Sequence, residues 1–299
     1  MTKTLKWIIV AASLILIGGI IFIGGMAMSG WSFENLFSGG FITNKYDITE
    51  NYKNVWISAT EADIKFVPCE GIKTTIECYE RENALHTVRV HNDTLSIELV
   101  DNRKWYEHIS INFETPKIKV YIPKGDYAEL SIKSHTGDTQ IPTGLTFESM
   151  NVVLTTGDIE VAASAKGEVN IKTTTGNIKA KNLIAQNVEL SVSTGDVKLN
   201  DINCESLTAT GSTGDCVLKN VIAKNSIYIE RSTGDIKFDS ADAAEIYAKT
   251  STGDIWGTLL SEKVFLASSD TGSVNVPKTV TGGRCELVTD TGDIKIEIK

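Results

Sequence analysis

Beyond residue 45 the chain alternates apolar and polar positions with period two, in step with a recurring Thr-Gly pair. The glycines are Gly137, Gly157, Gly176, Gly195, Gly214, Gly234, Gly253, Gly272 and Gly292, spaced by 20, 19, 19, 19, 20, 19, 19 and 20 residues. A threonine precedes each one. Aspartate follows seven of them (Asp138, Asp158, Asp196, Asp215, Asp235, Asp254 and Asp293), and Asn177 and Ser273 follow the other two. Such a period marks a repeat architecture.

The flanks fix the element type. Seven residues before the glycines stand Leu130, Met150, Val169, Val188, Leu207, Ile227, Ile246, Phe265 and Cys285. Five before stand Ile132, Val152, Ile171, Leu190, Ala209, Ile229, Ala248, Ala267 and Leu287. Two after are aliphatic residues or Cys216, with Thr139 the exception. Side chains two apart share one face of a strand, so these positions point inward and the segment is all-β. Two arrangements fit: a parallel β-solenoid (a β-helix) with Thr-Gly-Asp at a corner, or a stack of hairpins with a type II′ Gly-Asp turn. The solenoid is favoured, because identical corner residues suit stacking of like on like at about 4.8 Å. Nine such coils make a rod of about 40 Å. The extra residue of the 20-residue repeats falls between the two well-aligned strands, where an outer bulge can absorb it.

Residues 130–299 form this solenoid. Residues 45–129 alternate less regularly, with a turn at Asn92-Asp93, and read as divergent first coils or a cap over the open edge. Glycine supplies a positive φ at each corner.

Trp7 to Met28 is uncharged and follows Lys3 and Lys6. As a helix it covers roughly 33 Å, enough for a bilayer core of about 30 Å. A signal peptide with a weak small-residue site near Ala27 and Ser29 is the competing reading, but its apolar part is usually shorter. The expectation is one N-terminal transmembrane helix within residues 1–30, with the lysines holding the N-terminus in the cytoplasm and the rest of the chain extracytoplasmic. Residues 31–44 are a spacer, with Trp31 and Phe33 at the outer interface.

Composition narrows the partners. The net charge of −9 becomes −11 without the two N-terminal lysines, which excludes nucleic acid and a flat seat on anionic lipid. Five cysteines without a CxxC pair indicate neither a disulfide framework nor a zinc ribbon.

The run Lys117-Ile118-Lys119-Val120-Tyr121-Ile122-Pro123-Lys124-Gly125, then Leu130-Ser131-Ile132-Lys133 and Thr136-Gly137-Asp138 with the repeats behind it, resembles the putative-adhesin family of β-strand-repeat cell-envelope proteins. The resemblance spans roughly residues 45–299. It implies a domain of unknown function, often with a single N-terminal anchor and with no established catalytic residues.

The candidate chemistry is sparse. The aspartate column suggests calcium, but Asp, Asn or Ser bonding its own turn backbone explains it better, with Lys198, Lys237 and Lys295 placed to neutralise it. Cys216 and Cys285 are inward core residues, and Cys204 takes the place of Ala185, Ala223 and Ala243. Cys69 and Cys78 are a candidate bridge across neighbouring strands. His86, His91, His108 and His135 belong to no recognisable catalytic motif, and no metal or cofactor is expected. Tyr228, Tyr247 and Leu266 share the outward position six before successive glycines, giving an exposed strip near Trp256 that suits a glycan or protein contact or simply an aromatic ladder. The functional expectation is a membrane-anchored adhesin, envelope scaffold or stress-related protein that binds an envelope protein or glycan without catalysis. A polysaccharide lyase or hydrolase is the alternative, and it needs two carboxyls about 5–9.5 Å apart in a groove.

Overall fold

A computed structural model of the chain describes residues 3–28, 30–31, 40–103 and 114–299. Ser29, Phe33 and His108 lie outside the described residues. The N-terminal helix runs Lys3–Met28, and its segment Leu5–Ala27 has a mean hydropathy of 2.6, long and apolar enough to cross a membrane.

The repeats form a parallel β-solenoid. Each coil carries a strand up to the Thr-Gly corner, such as Asn187–Thr194, and a second strand beyond it. A third short side (residues 202–204 against 221–223) closes the coil and leads to the next. Parallel pairing throughout the stack rules out the hairpin arrangement. Leu130, Val169, Ile171, Leu190 and Ala209 are buried in one continuous core, as alternation requires. The extra residue between Gly214 and Gly234 lies at Lys224-Asn225, where the register shifts outside the aligned strands.

Two layers come from the irregular half. Strands Asn54–Ser58 and Asp63–Cys69 stack in register on Gly125–Thr136 and Thr139–Ile141. On their other side lie Thr94–Asp101 and Lys117–Pro123. Ala84–His91 then pairs antiparallel with Thr94–Asp101 across the left-handed Asn92-Asp93 turn, and Thr74–Arg81 and Phe41–Ile48 follow on Lys117–Pro123. These antiparallel strands cap the end of the stack. Cys69 and Cys78 are free thiols, because strand Lys117–Pro123 lies between theirs and the two pair at opposite ends of it.

The other end departs from chain order. Glu245–Thr252 pairs not with Lys263–Thr271 but with Gly283–Thr291, which in turn pairs with Lys263–Thr271. The Gly292 coil is therefore inserted between the Gly253 and Gly272 coils. Gly282 and Gly283 mark the entry: a Cβ on Gly282 would lie 1.8 Å from Glu262 O, and one on Gly283 would lie 1.7 Å from Ala244 O. Lys299 N donates to Leu259 O, which extends the pairing of Ile255–Leu259 with Ile294–Ile298. Phe265 and Ala267 face inward but are only half-buried, because theirs is the terminal layer.

Candidate surface-binding site

The Thr-Gly-Asp corner is a hydrogen-bond ladder along the stack. Each residue after the glycine except Ser273 offers a side-chain oxygen to the backbone N–H of its counterpart in the next layer. The sequence of donors is Asp138 to Asp63, Asp158 to Asp138, Asn177 to Asp158 and Asp196 to Asn177. It continues with Asp215 to Asp196, Asp235 to Asp215, Asp254 to Asp235, Asp293 to Asp254 and Ser273 to Asp293, at 2.7–3.0 Å. This corrects the expectation that each bonds its own turn: the acceptor serves the neighbouring coil. Ala62-Asp63 is a corner hidden in the irregular half, and Ser273, without a carboxylate, stands in the last layer.

Of the three lysines expected to neutralise the column, only Lys198 bonds its aspartate, Asp196, at 2.9 Å. Lys237 lies over the Trp256 ring, and Lys295 pairs with Glu297. The hydrogen bond from Lys198 holds the Asp196 carboxyl below its ordinary range. A depressed folded-state pKa stabilises fully above the ordinary value and is lost as the pH falls through the folded one. Both groups are partly exposed, so the effect is below about 1 kcal/mol. Asp196→Asn keeps an acceptor, as Asn177 does, and is expected to flatten the loss of stability from about pH 4 downward, where unperturbed Asp titrates. Urea midpoints at stepped pH check this, and an unchanged acid slope refutes it.

A second corner column escaped the sequence reading. Asn182, Asp201, Asn220 and Ser240 all adopt left-handed φ, from 51 to 62°, at the turn into the third side. The signal was present: residues that tolerate this conformation recur at the repeat spacing.

The expected apolar strip is only partly assembled. Tyr228 and Tyr247 stack at 4.9 Å with their rings 9° apart, and the Tyr228 hydroxyl donates to Glu230. Glu286 follows Tyr247, and Leu266 comes after that. The inserted coil therefore separates Leu266 from the tyrosines, and Arg284 pairs with Glu286 at 2.7 Å there. Trp256 lies beyond the corner on another face, in the column Lys237, Trp256, Lys295, Asn275.

That column borders a groove of about 330 Å³ lined by Asp254, Trp256, Ser273, Asn275, Asp293 and Lys295. Trp256 is 39% exposed, with the Lys237 ammonium 4.2 Å from the ring centroid. The groove offers an aromatic surface, carboxylates, an amide, a hydroxyl and an ammonium, a set that can hold a polyhydroxylated ligand by stacking and hydrogen bonds. Only the inserted coil brings Ser273, Asp293 and Asp254 together in this order. A larger cleft of about 530 Å³ near the cap is lined by residues that include Ile48, Tyr52, Ile72, Pro123 and Tyr127. Tyr52, Tyr127 and Phe147 form an aromatic ladder at its edge, at 6.0 and 5.7 Å.

The chain is similar in fold to solved bacterial structures. A putative adhesin from Bacteroides fragilis shares 19% identity over 87% of this chain and 98% of its own, with a TM-score of 0.50. A putative lipid binding protein from Parabacteroides distasonis shares 15% identity over 85% of this chain and 97% of its own, with a TM-score of 0.54. No curated protein matches. Residues 52–297 match the family described as Toastrack DUF4097, and the chain belongs to that family.

Proposed function

We propose that this protein is a membrane-anchored, extracytoplasmic β-solenoid that acts by surface binding without catalysis, and that its ligand is an envelope glycan held in the Trp256 groove. The observation that carries this reading is the exposed indole beside Asp254, Asp293, Ser273 and Asn275 at the far end of the stack from the cap. A pyranose presents one apolar face for the ring and hydroxyls for the surrounding acceptors and donors. The apolar helix, with Lys3 and Lys6 on its cytoplasmic side, supports an anchor that displays the rod outside. The use of the aspartate column as a backbone ladder supports a structural rather than a catalytic role for its carboxylates.

Binding of the full chain in detergent to purified cell-wall glycans tests it. Trp256→Ala is expected to weaken binding about ten-fold or more, the loss typical of an aromatic anchor. The Tyr228→Ser/Tyr247→Ser double variant, altered on a different face, is expected to bind as the wild type does. Equal affinity of Trp256→Ala and wild type overturns the groove, and binding only to envelope protein overturns the glycan.

A further inference from the structure

The N-terminal cap contains a cluster of a different kind. Cys78 and Glu80 are two residues apart on the inward face of Thr74–Arg81, and His86 lies inward on Ala84–His91, the partner strand of the hairpin. All three are buried. A sulfur, a carboxylate oxygen and an imidazole nitrogen from them lie within 4.8 Å of one another. We propose that Cys78, Glu80 and His86 form a zinc-binding site inside the cap.

The hydrogen bonds of the cluster leave one potential ligand atom unused. The Glu80 carboxylate is fully buried and accepts from Asn44 Nδ2 at 2.7 Å, and from His86 N and Nδ1 at 2.6 Å each. Among the described residues, Nε2 of the same imidazole is buried with no hydrogen-bond partner. A buried polar nitrogen left unpaired is costly. Zinc takes thiolate, imidazole and carboxylate together in tetrahedral sites. One thiolate and one carboxylate cancel its double charge, and the imidazole then coordinates as a neutral ligand. The Tyr46 hydroxyl, which donates to His86 O at 3.0 Å, adds to the polar lining on the side of Phe41–Ile48. Binding would join the two strands of the hairpin at a point where residues 74–81 lie against the stack.

The proton balance is defined. With Nε2 as the imidazole ligand, zinc displaces the Cys78 thiol proton as the sulfur–metal bond forms, the Nδ1 hydrogen bond to Glu80 is kept, and a water takes the fourth position.

The test uses the full chain in detergent, stripped with a chelator and titrated with Co²⁺ and then with Zn²⁺. The expected result is one Co²⁺ per chain with visible tetrahedral bands and a sulfur-to-cobalt charge-transfer band, all bleached by Zn²⁺. Cys78→Ser is expected to remove the charge-transfer band and Cys285→Ser to keep it. Zn²⁺ is expected to raise the melting midpoint of wild type and of Cys285→Ser, but not of Glu80→Gln. The wild-type spectrum decides even if a variant fails to fold: no tetrahedral Co²⁺ spectrum overturns the site, as does a charge-transfer band that survives in Cys78→Ser.

Discussion

Gly195→Ala is expected to cost about 3–5 kcal/mol, near the top of what a single substitution removes. Two effects combine. Gly195 has a φ of 142°, a conformation that costs another residue about 1–3 kcal/mol. A Cβ there would also lie 2.0 Å from Gly176 O, backbone that has nowhere to retreat because its own coil is stacked in register. Relief requires the coils to part, which loosens bonds such as Gly195 N to Thr213 O and Asp215 N to Asp196, each worth about 1 kcal/mol net. Ala62 shows the origin of the demand. It holds the same column with a φ outside the positive region, and the two strands of the layer beyond it, Thr94–Asp101 and Lys117–Pro123, are separated in the chain by fifteen residues without a glycine. Glycine is required where another corner lies directly beneath. Gly71→Ala, whose Cβ would meet nothing closer than 3.9 Å, serves as the control and is expected to leave stability nearly unchanged. Urea midpoints for both variants check the prediction, and it is refuted if Gly195→Ala stays within about 1 kcal/mol of wild type.

Arg231→Met is expected to stabilise the protein by about 1–4 kcal/mol, the range seen when a buried charge gives way to an apolar side chain of similar volume. Arg231 occupies the inward position three before Gly234, where other coils place Thr173, Val192, Thr250 or Thr289. The threonines donate to the glycine carbonyl of the adjoining layer: Thr250 to Gly234 O and Thr289 to Gly253 O, both at 2.9 Å. Arg231 is 1% exposed, and none of its three side-chain nitrogens has a hydrogen-bond partner among the described residues. Its neighbour Cys216 gives little compensation: burial pushes that thiol up to about 11 despite the guanidinium, so it stays uncharged at neutral pH. Gly211, in the adjoining layer, makes the room, since a Cβ on it would lie 2.0 Å from Arg231 Nη1. The pair is a large residue and its complementary gap in otherwise similar coils, a device that can fix register at a cost in stability. A higher urea midpoint with an unchanged slope is the expected result, and a lower midpoint sinks the idea.

Much of the fold could be read in advance, because its signals are local. The nine glycines, the parity of Val169 and Ile171, and the turn at Asn92-Asp93 each follow from the geometry of a few adjacent residues. The hidden corner at Ala62-Asp63 was not legible, because it keeps the aspartate but lacks the glycine. The candidate groove was legible only in one residue: the sequence points to Trp256 as a surface contact beside the tyrosine strip, whereas the structure sets it on another face among polar neighbours. Chain order placed Leu266 beside Tyr247, whereas the Gly282-Gly283 crossing puts Glu286 there and sets Asp293 between Asp254 and Ser273.

The sequence by itself determined the repeat, the strand type, the inward and outward faces and the glycine corners, together with an apolar segment of membrane length. Tertiary structure alone decided the order of the layers, the acceptor of each aspartate, and the meeting of Cys78 and Glu80 with His86 and of Trp256 with its polar neighbours. The reason is physical. Alternation and corner geometry act over a few residues and are repeated in every coil. Near-equivalent coils stack equally well by that pattern, so their order depends on contacts between residues far apart in the chain.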